Sequence, residues 1–153
     1  MSLIQLHTTD RTLSVHCLLP ASIDLVWQVW TDAKHIAQWW GPDGFSTLIH
    51  QMDLQKGGVW KLTLKGPGGK DYPNKSIFKE IIPKHKIVFQ HLYPHYLAEI
   101  CFTPEKNRTR MEWRSTFETD ELFNTVVKVF KADEGLKQNT LKLINYLQTS
   151  VST

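Results

Sequence analysis

Cysteine is scarce: two residues, Cys17 and Cys101, in a chain of 153. That excludes a disulfide scaffold. Each lies in a strand-like run, as a buried thiol or as half of one bridge. The N-terminus MSLIQLHTTDR has neither the charged head nor the apolar stretch of a secretory signal, so reduced thiols and a cytoplasmic location are expected. No apolar run approaches the roughly 20 residues that span a bilayer, which argues against stable membrane insertion. Charge of one sign is never concentrated. The net charge is +3, yet no Lys/Arg run exceeds a single residue, so the basic residues read as solvated faces and no nucleic-acid partner is expected. Catalytic signatures are missing as well: there is no G-x-S-x-G and no setting for a nucleophilic cysteine. GPGGK, Gly66 to Lys70, has the wrong spacing for a phosphate loop. His91 and His95 in HLYPH are separated by Pro94, which bars the helical pairing that zinc would need. Neither a metal nor a cofactor is implied.

Aromatics, in contrast, are plentiful: six Trp, seven Phe and four Tyr. They fill cores and line apolar pockets. The length suits one domain, residues 1–153, able to bury roughly 68–70% of its unfolded surface without a staple.

Periodicity orders the elements. RTLSVHCLL, residues 11–19, alternates as a strand that Pro20 ends. Ile23, Val26, Trp27 and Trp30 make one face of a helix after Ser22. Asp32 caps a second short helix, AKHIAQWW, which Gly41 and Pro42 terminate. From Phe45 to Phe117 six strands are separated by turns, with Gly57-Gly58 in a tight turn and GPGGKDYPN as a loop. Ala98, Ile100 and Phe102 share one face; so do Met111, Trp113, Ser115 and Phe117. Thr119 then caps a long helix with two apolar stripes, and the phase change between them predicts a break near Gly135. A short polar tail, residues 150–153, follows. The order strand, two helices, six strands, long helix implies α+β architecture. An antiparallel sheet has one apolar face, the C-terminal helix covers it, and a cavity fits between them.

Two phrases carry a resemblance. WWGPDGF, residues 39–45, and DLQKGGVW, Asp53 to Trp60, are similar to elements of the activator of heat-shock-protein-90 ATPase homologue family. That family is a branch of the START-like, or SRPBCC, superfamily, with the polyketide cyclases and the birch-pollen allergen. FKEIIPKHKIVF, residues 78–89, resembles its E-I-x-P segment, and the similarity covers about residues 11–148. The resemblance implies the helix-grip fold: a seven-stranded antiparallel sheet around a long C-terminal helix, with two short helices between strands one and two. Many family sequences open the last helix with Gly-Trp; here it is Gly135-Leu136, which leaves more room at that end of the cavity. Function varies across the superfamily, so lipid binding, cyclase chemistry and co-chaperone action are all open.

The expected partner is a small apolar molecule or lipid. Its expected wall is Trp27, Trp40, Trp60, Leu62, Phe78, Phe89, Ile100, Met111, Trp113, Leu136, Thr140 and Ile144. Three residues would serve a cyclase- or dehydratase-like reaction instead. Glu80 shares the period-two face of Phe78 and Ile82, where burial would raise its pKa, unless a bulge or an arginine (Arg110, Arg114) draws it outward. His50 shares a face with Leu48 and Met52, and His91 with Ile87 and Phe89. An exposed sheet edge leaves homodimerisation open, and a chaperone partner is suggested by the resemblance alone.

Overall fold

Residues 4–149 are described by a computed structural model; the polar tail lies outside them. The elements are β1 (Gln5–Thr9), β2 (Thr12–Leu19), α1 (Ile23–Thr31), α2 (Ala33–Trp39), β3 (Ser46–Met52), β4 (Val59–Lys65), β5 (Asp71–Ile82), β6 (Lys86–His91), β7 (Tyr96–Glu105), β8 (Arg108–Phe117), α3 (Asp120–Asn124), a π-helical turn (Thr125–Val129) and α4 (Ala132–Thr149). The strands form one antiparallel sheet in the order β1-β2-β8-β7-β6-β5-β4-β3. Strand alternation sets its faces. In β2 every second residue, Leu13 to Leu19, is buried, and β8 buries Thr109, Met111, Trp113, Ser115 and Phe117. These inner positions face each other across the ladder, as in Val15 with Trp113 and Ala98 with Ser115. The apolar face of α4, Leu143, Ile144 and Leu147, closes over them. This is the helix-grip architecture.

Three expectations need correction. The sheet has eight strands, not seven. The additional one, β1, pairs with β2 through a hairpin whose turn residue Asp10 has φ of 49°. Asp71–Asn74 is strand, not loop. Pro73 sits there opposite Thr63 of β4, and pairing with β6 begins only at Ser76, so its missing N–H falls on an unpaired side. The C-terminal break lies at Phe130–Lys131, earlier than Gly135. Phe123 and Val126 pack on Leu13 and Phe117, while Leu143 and Leu147 pack on the main core. The π turn advances the phase between these stripes, and Lys131, at φ 55°, ends the run. Gly135 is left inside the first turns of α4.

Tryptophans fill the end of the grip under α1 and α2. The Trp30 ring is edge-on to Trp39 at 4.8 Å, to Trp113 at 5.0 Å and to Phe102 at 5.8 Å. Trp39 is fully buried, and its indole N–H donates to the Val29 carbonyl at 3.1 Å. The indole N–H groups of Trp30 and Trp60 are buried without an acceptor, a cost of about 1–3 kcal/mol each that the packing has to offset.

Candidate functional site

The other end of the grip is not filled. A cavity of about 450 Å³ lies between the ends of β2, β7 and β8 on one side and α3, the π turn and α4 on the other. Its walls include Leu13, Tyr96, Trp113, Ser115 and Phe117 from the sheet and Leu122, Val126, Phe130 and Leu136 from the helical side. Trp40, Gly41 and Pro42 form a third wall. Phe130 stands at the rim, 72% exposed, at the break between the π turn and α4.

How Trp40 comes to the wall follows from the end of α2. Adjacent helical residues point about 100° apart. Trp39 turns into the core, and Trp40 stacks on Trp113 at 5.4 Å and 25° and leans on Trp60 at 4.9 Å. Gly41, at φ 104°, then reverses the chain. Asn139 of α4 holds this reversal: its side-chain amide donates to the Trp39 carbonyl at 2.8 Å and accepts from the Gly41 N–H at 3.1 Å. Asn139 therefore braces the wall from behind through its carbonyl oxygen and one amide N–H.

The expected wall residues divide by position. Trp40, Trp113 and Leu136 line the cavity. Trp60, Leu62 and Phe89 line an adjoining pocket of about 20 Å³, room for one water molecule. Phe78, Ile100, Met111 and Ile144 are buried in the core. Thr140 is buried and donates back to the Leu136 carbonyl at 2.9 Å, and Trp27 packs edge-on against Phe102 at 6.0 Å. Tyr96, Ser115, Phe117 and Asn139 are cavity residues missing from that set. Their signals exist: Tyr96 extends the Ala98–Ile100–Phe102 alternation backward, Ser115 and Phe117 continue that of Trp113, and Asn139 is three residues from Leu136 on the same helix face.

Two of the three acid–base candidates lie elsewhere. A bulge between Phe78 and Glu80 inserts Lys79 and reverses the alternation. Glu80 emerges exposed on the outer face, 3.2 Å from the Lys86 ammonium. Its partner is this lysine, not an arginine, and a half-exposed pair of this kind contributes little. A second bulge, between Ile49 and Gln51, displaces His50, which is exposed and contacts the Thr63 hydroxyl at 2.7 Å.

His91 does face inward. It is 7% exposed and stacks on Tyr96 at 4.6 Å. Its Nδ1 lies 2.8 Å from the Pro94 carbonyl and its Nε2 2.6 Å from Asn74 Oδ1. Both partners are oxygen acceptors. A neutral ring can donate to one of them only, unless the Asn74 amide turns end for end. Burial nevertheless dominates and lowers the His91 pKa below its ordinary 6.5; the Pro94 carbonyl opposes this and His95 adds to it. The sign of the stability effect follows. The unfolded chain takes up a proton near 6.5 and the folded chain only at lower pH. The contribution of His91 is therefore full above 6.5 and lost as pH falls through the lower folded value. Thermal unfolding between pH 7.5 and 5 is expected to show a falling Tm, and His91→Gln a shallower fall. Equal slopes would mean that His91 does not titrate differently on folding.

Burial also raises the phenol of Tyr96 well above its usual range and the thiol of Cys17 to about 12, so both stay protonated. Cys17 and Cys101 are both free thiols, and neither has the lowered pKa of a nucleophile. Among the described residues no helix is long and apolar enough to cross a membrane.

Comparison with known proteins places this geometry. A solution structure of a protein from Arthrobacter aurescens superposes with a TM-score of 0.90 at 21% identity, over 96% of this chain and 92% of the other. A crystal structure of a protein from Nitrosomonas europaea gives 0.85 at 20% identity, over 96% and 100%. The AHSA1-like protein from Aeromonas hydrophila gives 0.76 at 17%, over 91% and 93%. At such identities the likeness carries the fold and nothing further. No curated protein matches the chain significantly. The sequence model of the activator of Hsp90 ATPase homolog 1-like proteins, however, matches residues 20–148, from the end of β2 to the last turn of α4. The chain belongs to the activator of Hsp90 ATPase homolog 1-like family.

Proposed function

We propose that this protein binds a small apolar molecule or lipid in the cavity between its sheet and its C-terminal helices. The observation that carries the reading is the cavity itself: about 450 Å³, walled by Trp40, Trp113, Phe117, Val126 and Leu136. That volume is within the range of small-molecule sites. Burying about 300 Å² of apolar ligand surface at about 25 cal/mol per Å² yields about 7.5 kcal/mol before ordering costs, which puts the affinity in the micromolar range or weaker. Binding needs no catalytic group; of the three acid–base candidates, Glu80 and His50 lie on the outer face and His91 faces inward.

The test uses the neutral fluorophore N-phenyl-1-naphthylamine. The wild type is expected to enhance its emission saturably at micromolar concentration. Leu136→Trp, which restores the Gly-Trp opening common in the family, fills part of the cavity and is expected to weaken the dye at least tenfold with Tm unchanged or raised. A folded variant that binds as well as the wild type would place the dye elsewhere and sink the reading.

A further inference from the structure

The polar atoms on the cavity wall indicate what the ligand carries. Among the described residues, the Tyr96 phenol apart, no lining residue has an ionisable side chain: no Lys, Arg, His, Asp or Glu belongs to the wall. Burying a charge without a partner is among the costliest steps in an apolar site. The wall is not without hydrogen-bonding groups, though. Asn139 is already engaged at its oxygen and one N–H by Gly41 and Trp39, Asn74 likewise by His91 and Tyr72, and the Thr125 hydroxyl sits on an exposed residue open to water. Ser115, 93% removed from solvent, and Tyr96 are different: neither hydroxyl has a protein partner among the described residues. They are diagonal neighbours on adjacent strands, since Tyr96 pairs with Phe117 and Ala98 with Ser115. Each hydroxyl can donate and accept.

Resting on the cavity reading above, we infer that the ligand is an uncharged amphiphile, an apolar body with one hydroxyl or carbonyl group met by Ser115 and Tyr96, and that carboxylates, phosphates and ammonium ions are excluded from the site. A neutral group satisfies the two hydroxyls at the ordinary gain of a hydrogen bond. An ion forfeits its hydration and finds no counter-charge. The rival is an ion left at the rim, where Lys131 follows Phe130.

The two are separated by displacing bound N-phenyl-1-naphthylamine at pH 8 with three probes of equal chain length: 1-decanol, decanoate and decylammonium. Decanol is expected to displace the dye at a concentration at least tenfold below either ion. Decanoate within tenfold of decanol would overturn the inference in favour of a headgroup held at the rim by Lys131. Bound dye that decanol fails to displace would overturn it too, while the cavity reading stands. If the dye does not bind at all, the cavity reading fails, and this inference with it.

Discussion

Replacing Asn139 with leucine is expected to cost about 2–4 kcal/mol of stability and to abolish binding in the cavity. The two side chains are close in volume, so no void opens. What is lost is the pair of hydrogen bonds to the Trp39 carbonyl at 2.8 Å and from the Gly41 N–H at 3.1 Å. Both backbone groups sit in a turn that α4 covers, and Asn139 is only 7% exposed. Leaving a buried backbone group unsatisfied costs about 1–3 kcal/mol, and the apolar gain of leucine returns part of the sum. The consequence reaches the site because the same turn places Trp40 against Trp113. Once the turn is released, the stacked wall is no longer fixed. Urea unfolding measures the first effect; dye titration and the tryptophan emission maximum measure the second. Gln138→Ala is the control. Its side chain also accepts a backbone N–H, from Asp43 at 3.1 Å, but in solvent, so its loss should stay within about 0.5 kcal/mol. If Asn139→Leu proves as mild as Gln138→Ala, the turn does not depend on this brace.

Which parts of this arrangement are legible in the sequence depends on whether a signal is periodic. The inner faces of β2, β7 and β8 are regular, so alternation from Val15, Ile100 or Trp113 finds the buried set. The order of elements, read with the turn residues, was enough to reach the sheet-and-helix architecture. Irregularities are another matter. A bulge shifts every later side chain to the opposite face, and nothing in FKEII marks Lys79 as the extra residue; Glu80 therefore reads as inward and lies outward. The π turn does the same in the helix. It absorbs the phase difference between the stripes of Phe123 and Leu143, so the break falls at Lys131, where a lysine adopts positive φ, and Gly135 stays helical. β1 is short, mostly exposed and at a sheet edge, so it carries little apolar alternation. The cavity is harder still to read, because it is the volume that side chains leave over. It arises where Trp30, Trp39 and Trp113 fill one end of the grip and Ser115, Gly135 and Leu136, all smaller than tryptophan, leave the other open.

The two glycines of the β3–β4 turn should respond very differently to alanine. Gly57 has φ of 84°, and a Cβ there would touch nothing within 4 Å. Gly57→Ala costs the left-handed backbone penalty alone, about 1–2 kcal/mol. Gly58 has ordinary φ but no space: a Cβ would come within 1.9 Å of the Asp53 carbonyl oxygen and 2.9 Å of that of Gln55. Those atoms are backbone and cannot rotate aside. The turn must open, and its hydrogen bonds open with it: Gly58 N–H to Gln55, Asp53 N–H to Val59, and the reciprocal pair that ties Gly57 and Gly58 to Phe78 of β5 at 2.7 and 2.9 Å. Gly58→Ala is therefore expected to cost about 4 kcal/mol or more, near the upper end for a single substitution. Trp60, two residues on, packs flat on Phe78 at 5.6 Å and 8° and supports Trp40 from behind, so the variant should lose ligand binding even where it folds. Denaturant unfolding of both variants decides the matter. The ordering Gly58→Ala far below Gly57→Ala assigns the D-x-x-x-G-G-x-W phrase to close backbone approach at its second glycine. The reverse order would assign it to backbone conformation at the first, and the contact at Asp53 would be one the turn can relieve.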